Sequence, residues 1–304
     1  MTRFKTGALA LILSGVLLGC TATGVGPDGV PAGYERFYSP AAHNVQAGLA
    51  SRGDPVRRGE RSERYELRDT DCGGTDCGNP RQRAEIRLTE RANPARIGQD
   101  TWYGWSFFNL NVPGYSREES LRLVFGQWTM GGGAAPILRL IQLGRGEGHW
   151  DACDRRYCSG PSVAAGDIAL QLEDMHQAND WGKRENDGYV CRLFDMASNR
   201  GRWVDLVMRT NFSAGPDGYV QVWVNDVLKC DYRGPLVSAE SLALGDTPEH
   251  RRGVFSSYTE RWDTRRGGQV KPRKIVYYDE FAIGQSRREV DVRLRETLGL
   301  PALD

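Results

Sequence analysis

Residues Leu121–Leu143 read LRLVFGQWTMGGGAAPILRLIQL, and they decide the fold class. The first run alternates: Leu121, Leu123, Phe125 and Gln127 share one face, with Arg122, Val124, Gly126 and Trp128 on the other. Gly131, Gly132, Gly133 and Pro136 interrupt the extended pattern, and Ile137–Leu143 resumes it. This is strand, glycine-rich turn, strand. Gln127 is the residue out of place, a neutral amide ending an apolar line. A buried amide needs hydrogen-bonding partners. Gln127 is therefore either a satisfied core group or, if Gly126 carries a β-bulge that inverts the following residues, a group facing a cleft.

The same period-two patterning recurs on both sides. Upstream are Arg61–Arg68 (RSERYELR), Arg81–Thr89 (RQRAEIRLT) and the aromatic run Thr101–Val112 (TWYGWSFFNLNV). In the second of these, Ala84, Ile86 and Leu88 oppose Arg83, Glu85 and Arg87. Downstream, Asp167–Leu172 is a short strand. Trp203–Thr210 and Gly218–Leu228 give the best hairpin signal, with Val220, Val222 and Val224 on one face and turn chemistry at Asn225-Asp226. Gly253–Glu260 and Lys274–Gly284 complete the set; in the last, Ile275, Tyr277, Asp279, Phe281 and Ile283 are predicted to share a face. After Gly284, Val290, Leu294 and Leu298 stand at helical spacing, so residues 285–304 read as a tail with a short helix. Many short strands and no long helix indicate an all-β chain, a two-sheet antiparallel sandwich over residues 34–284.

Of 304 residues, 39% are hydrophobic and 26% charged, with a formal net charge of +1. That balance gives no pull toward nucleic acid. Arg3 and Lys5 precede an apolar run, Ala8–Leu18, too short to span a bilayer as a mature helix. Leu17-Leu18-Gly19-Cys20 resembles the bacterial lipobox. Residues 1–19 then form a lipoprotein signal peptide, Cys20 is the lipidated first residue, and residues 20–33 are a flexible tether to the cell envelope. The other cysteines number six, an even count that suits disulfides in an exported protein. Spacing proposes Cys72–Cys77 and Cys153–Cys158 as local clips and leaves Cys191–Cys230 as a long-range staple.

The order of these motifs resembles the jelly-roll polysaccharide lyases of the heparin lyase I and glucuronan lyase type, across residues 60–284. Arg83-x-Glu85 precedes the YGWSF strand, Gln127-Trp128, the hairpin ending Trp223-Val224-Asn225-Asp226, Gly253-Val254-Phe255 and a terminal YYDEFAIG strand. The resemblance implies a concanavalin-like jelly roll and β-elimination on a uronate-containing glycan. Such chemistry removes a weakly acidic C5 proton. It needs donors that neutralise the adjacent carboxylate, a base at C5 and an acid at the leaving O4. Carried over, Gln127 and Arg83 neutralise the carboxylate, while Glu85, Arg87, Arg251 and Thr129 line the substrate site. His149 or His176 would enter from a loop. Three positions depart from the family pattern: Thr129 stands where a His is usual, Phe255 where the catalytic Tyr is usual, and Arg251 where a Lys is common. Tyr258 is the substitute proton-transfer residue, provided a bulge or turn at Ser256-Ser257 turns it around.

These readings predict a lipid-anchored, monomeric polysaccharide lyase acting on an acidic polysaccharide without metal or cofactor. The alternative is a carbohydrate-binding lipoprotein on the same fold that lost proton transfer. A glycoside hydrolase ranks last, because paired carboxylates in the strand pattern of sandwich glucanases are missing.

Overall fold

The computed structural model describes residues 24–115, 121–131, 133–142, 158–159, 167–174 and 189–304. The first strands are β1 (Tyr34–Phe37), β2 (Val45–Leu49), β3 (Arg61–Leu67), β4 (Arg81–Leu88), β5 (Thr101–Asn109), β6 (Leu123–Thr129) and β7 (Leu138–Gln142). There follow β8 (Cys158–Ser159), β9 (Asp167–Leu172), β10 (Tyr189–Asp195), β11 (Trp203–Thr210), β12 (Tyr219–Val224), β13 (Val227–Arg233), β14 (Glu249–Ser257) and β15 (Lys274–Gly284). They form an eight-stranded sheet ordered β1-β4-β14-β6-β7-β9-β10-β8 and a seven-stranded sheet ordered β13-β12-β11-β5-β15-β3-β2. Pairing is antiparallel except between β10 and β8. The two sheets close on one core, the jelly-roll sandwich that the patterning implied.

Alternation accounts for most of the core. Ala84, Ile86 and Leu88 of β4 and Val220, Val222 and Val224 of β12 all enter it. Asn225 and Asp226 take positive φ (47° and 69°) and join β12 to β13 as a tight hairpin turn. Cys191 of β10 and Cys230 of β13 are disulfide-bonded across the two sheets, and Cys72 is bonded to Cys77. The Cys153–Cys158 pair lies outside the described residues.

Alternation fails where a strand carries an extra residue. In β6, Val124 pairs with Ile141 but Gly126 pairs with Leu140, so β6 has one residue more than β7. Leu123 and Phe125 enter the core, and so does Trp128, while Gln127 falls on the outer face. β14 bulges beside it, between Arg252 and Phe255. There Gly253 has φ 137°, and a Cβ would stand 2.1 Å from the Ala84 carbonyl oxygen, so glycine alone fits. The Tyr278 hydroxyl reaches across the core from β15, donates to the Phe125 carbonyl, and lies 3.3 Å from that of Gly253. A third bulge, in β15 between Asp279 and Ala282, overturns the single face predicted for that strand. Ile275 and Tyr277 pack outside, and Phe281 and Ile283 join Val276 and Tyr278 in the core.

Two further expectations change. Val25 is buried and its carbonyl accepts Arg61 Nη1 at 3.2 Å, so residues 24–33 lie on the sandwich instead of forming part of a loose tether. The tail holds two short helices, α3 (Arg287–Val290) and α4 (Val292–Thr297), after α1 (Ala239–Leu242) and α2 (Thr259–Arg266). Asp291 ends α3 and caps α4 by accepting from the Arg293 and Leu294 amides. The break re-phases the chain, so Val290 and Val292 are buried while Leu298 is exposed.

Inside the sandwich, Arg252 of β14 meets Glu63 of β3 through paired bonds of 2.7 and 2.6 Å. Its guanidinium lies between the rings of Tyr34 and Phe281 (4.0 and 3.9 Å). His250 stacks on Phe281 at 4.8 Å. Burial, and then the Arg252 charge, hold its imidazole well below the usual histidine range.

Tyr278→Phe leaves the bulge carbonyls buried without their donor and is expected to cost about 1–3 kcal/mol in urea unfolding. An unchanged midpoint would remove the hydroxyl from the account of the bulges. His250 gives a pH signature. Below about pH 6.5 the unfolded chain binds a proton that the native state refuses, so stability falls by up to about 1.4 kcal/mol per pH unit. Asp279, whose carboxyl burial pushes up to about 8, binds a proton in the native state over the same range and opposes this decline. The measure is therefore the difference in unfolding free energy between parent and His250→Gln from about pH 7 to 5.5, which should carry the His250 slope.

Candidate active site

The outer face of the eight-stranded sheet carries a groove of about 640 Å³ over β4, β14, β6 and β7. Strand register sets its floor. Arg87, Arg251, Gln127 and Arg139 form one cross-strand row, and Arg83, Phe255, Val124 and Ile141 form another. Of the first row Arg251, Gln127 and Arg139 line the groove, and of the second Arg83 and Phe255. Thr129, Arg122, Arg81, Ser257, Tyr258 and Glu260 complete its polar walls.

Glu85 orders the floor from below. It is fully buried, accepts from Arg83 Nη1, and accepts from Gln127 Nε2 through both oxygens at 3.1 and 3.2 Å. A carboxylate only accepts, so the Gln127 amide nitrogen must face it. An amide nitrogen carries two hydrogens, so one N–H shared between the two oxygens would leave the second for a ligand. Arg83 is held harder still. Its Nε and Nη2 donate to Asp76 at 2.6 and 3.3 Å, and its plane lies over the Phe255 ring at 4.2 Å. Burial alone lowers the pKa of this guanidinium, but Glu85 and Asp76 outweigh it and raise the pKa. At Arg251 burial prevails over Glu249 and Glu85 and lowers it.

Tyr258 reaches the groove through its own left-handed backbone, with Ser256 and Ser257 still in regular strand register, instead of through a bulge or turn at Ser256-Ser257. It adopts φ 60°, ψ 36°, costly for a non-glycine residue, between β14 and α2. The conformation is pinned on both sides: the Ser257 amide donates to the Arg122 carbonyl at 3.0 Å and the Thr259 amide to that of Pro80 at 3.2 Å. The guanidinium groups of Arg122 and Arg261 lie 5.1 and 4.2 Å from its ring centre.

Of the residues singled out from sequence, Arg83, Gln127, Thr129, Arg251 and Tyr258 share this groove. Glu85 does not line it but supports it from beneath. Arg87 lies outside, in a neighbouring recess, bonded to Glu35 and Glu249. His149, His176 and Cys20 fall outside the described residues. Sequence reading passed over Arg122 and Arg139. The register of Arg139 opposite Gln127 was the signal for the second, but it needed the bulge to be known.

The chain matches the family model described as polysaccharide lyase over residues 33–282. A search among curated protein sequences finds no match. Among solved structures, the endo-β-1,4-glucuronan lyase of the fungus Trichoderma reesei aligns with a TM-score of 0.57 at 13% identity. That alignment covers 86% of this chain and 94% of that one. An alginate lyase of Zobellia galactanivorans aligns at 0.45 and 11% identity, over 73% and 76% of the two chains. At such identities the glucuronan lyase likeness shows the shared fold.

Proposed function

The chain belongs to the polysaccharide lyase family, and from that premise we propose that its groove cleaves an acidic, uronate-containing glycan by β-elimination. The observation that carries this reading is the convergence of Arg83 and Gln127, from separate strands, on one buried carboxylate beneath an open groove. Their outward N–H groups suit a sugar carboxylate, whose charge grows enolate-like as C5 loses its proton. Tyr258 is the proposed proton-transfer residue. In its phenolate form it takes the C5 proton, the C4–C5 double bond forms, the C4–O4 bond breaks, and the phenol returns the proton to O4. The guanidinium groups of Arg122 and Arg261 lie over its ring and help to fix its position in the groove.

Thr129 and Phe255 occupy the groove where the family pattern has its His and Tyr; a threonine hydroxyl is a poor base and phenylalanine cannot transfer a proton. That observation favours a second reading, a carbohydrate-binding protein that retains the groove without turnover. Incubation with glucuronan, alginate and heparin-type polymers, followed by absorbance of the unsaturated uronate product, separates the two. Product is expected from at least one polymer. Tyr258→Phe should lower kcat by about 100-fold or more, and Gln127→Ala by about 100- to 1000-fold. Binding to a polymer in this panel with no product from any would leave the second reading standing.

We also propose that Cys20 carries lipid and tethers the domain to the cell envelope, supported by the charge, apolar length and small residue that precede it. In a bacterial host Cys20→Ser should move the protein from the membrane fraction to the soluble fraction. Retention in the membrane would overturn the anchor.

A further inference from the structure

Five N–H groups leave an arginine, and their allocation at Arg83 is informative. Nε and Nη2 each give one to Asp76, and Nη1 gives one to Glu85. Two remain, one on each terminal nitrogen. Phe255 and Phe37 lie against the guanidinium (4.2 and 5.0 Å), so its plane is fixed and with it the directions of these N–H groups.

Asp76 does most of this holding, and its own placement is unusual. It is buried within a one-turn 3-10 helix, Gly74–Gly78, between two disulfide-bonded cysteines only five positions apart. Its amide donates to the Gly73 carbonyl and its carbonyl accepts from the Asn79 amide, at 3.1 and 3.0 Å. A loop this short has little apolar surface with which to fix an aspartate. The cross-link supplies the constraint by limiting the conformations open to the loop.

We propose that Asp76 is a positioning residue for substrate recognition, and that the Cys72–Cys77 clip exists to hold its carboxylate against Arg83. The cystine is thus part of the recognition apparatus although it does not line the groove. This deepens the carboxylate-binding role given to Arg83 and rests on it.

The test is a double-variant cycle on the mature chain, with a glucuronate oligosaccharide as probe and Tyr258→Phe as the common background to prevent turnover. Calorimetry gives the affinity. Asp76→Asn should weaken binding about tenfold, and Cys72→Ser with Cys77→Ser should weaken it in the same direction. In an Arg83→Gln background Asp76→Asn should cost nothing more, because Asp76 acts through that guanidinium. An independent readout is the Arg83 Nε–H resonance, expected to be slow to exchange in the parent and to lose that protection in Asp76→Asn. Losses that add across the cycle, or an Asp76→Asn variant that binds like its parent, overturn the proposal while leaving the groove reading intact. A background protein that binds no acidic oligosaccharide overturns both.

Discussion

The site depends on a hydroxyl that never touches it. A β-bulge frees backbone groups from the ladder, and in a dry core a freed carbonyl must find another donor. Two bulges lie side by side here, in β6 at Phe125-Gly126 and in β14 at Gly253-Val254, and the Tyr278 hydroxyl from the opposite sheet serves them both. Burial raises its pKa well above the ordinary tyrosine range and keeps it protonated as a donor. Without the extra residue in β6, Gln127 would follow Leu123 and Phe125 into the core and Trp128 would face solvent. The bulge reverses both, and Gln127 then lies beside Arg251 and Arg139 on the groove side.

The same strand geometry sorts two adjacent arginines. Arg251 faces the groove and Arg252 the interior, where Glu63 and two aromatic rings enclose it. A buried pair of this kind is weak evidence for stability, because desolvation of both ions offsets most of their attraction. Its geometric consequence is firmer. A one-residue slip of β14 in one sense would set Gly253 against Glu63 and leave that acid without its arginine, whereas in the other sense Arg251 would take the place of Arg252. The pair therefore opposes a slip in the first sense, and with it a shift of the row that places Arg251 beside Gln127.

How much of this was legible depended on whether the period of two survived. It survives through β4 and β12, so Ala84, Ile86, Leu88 and the three valines of β12 could be placed from sequence. It breaks in β6, β14 and β15, where bulges are settled by contacts between sheets that a local pattern does not contain. Gly126 gave a hint for Gln127, which the reading used. Glu280, with φ 53°, gave none for the inversion of Phe281. Tyr258 was legible as a residue but not as a conformation, since its strain is imposed by hydrogen bonds from its neighbours Ser257 and Thr259 to the Arg122 and Pro80 carbonyls, distant in the chain. The two described disulfides followed from spacing because one closes a short loop and the other joined the cysteines left over.

The charges of the groove bear on what it can recognise. Five arginines line it against one glutamate, which alone suggests a strong positive field. Carboxylates stand behind the guanidinium groups, however: Asp76 and Glu85 on Arg83, Glu249 on Arg251, Glu173 on Arg139. Much of the positive field is cancelled at source, and what remains is a set of N–H groups with fixed directions. Such a floor selects by geometry, rewarding a planar anion that meets two N–H groups at once over a diffuse charge of the same size. Phe255 fits this logic. At the position where the family pattern has a proton-transferring tyrosine, its ring instead backs the Arg83 guanidinium. On the proposed lyase reading, that departure would strengthen carboxylate binding and leave proton transfer to Tyr258, the groove tyrosine whose backbone takes a left-handed conformation.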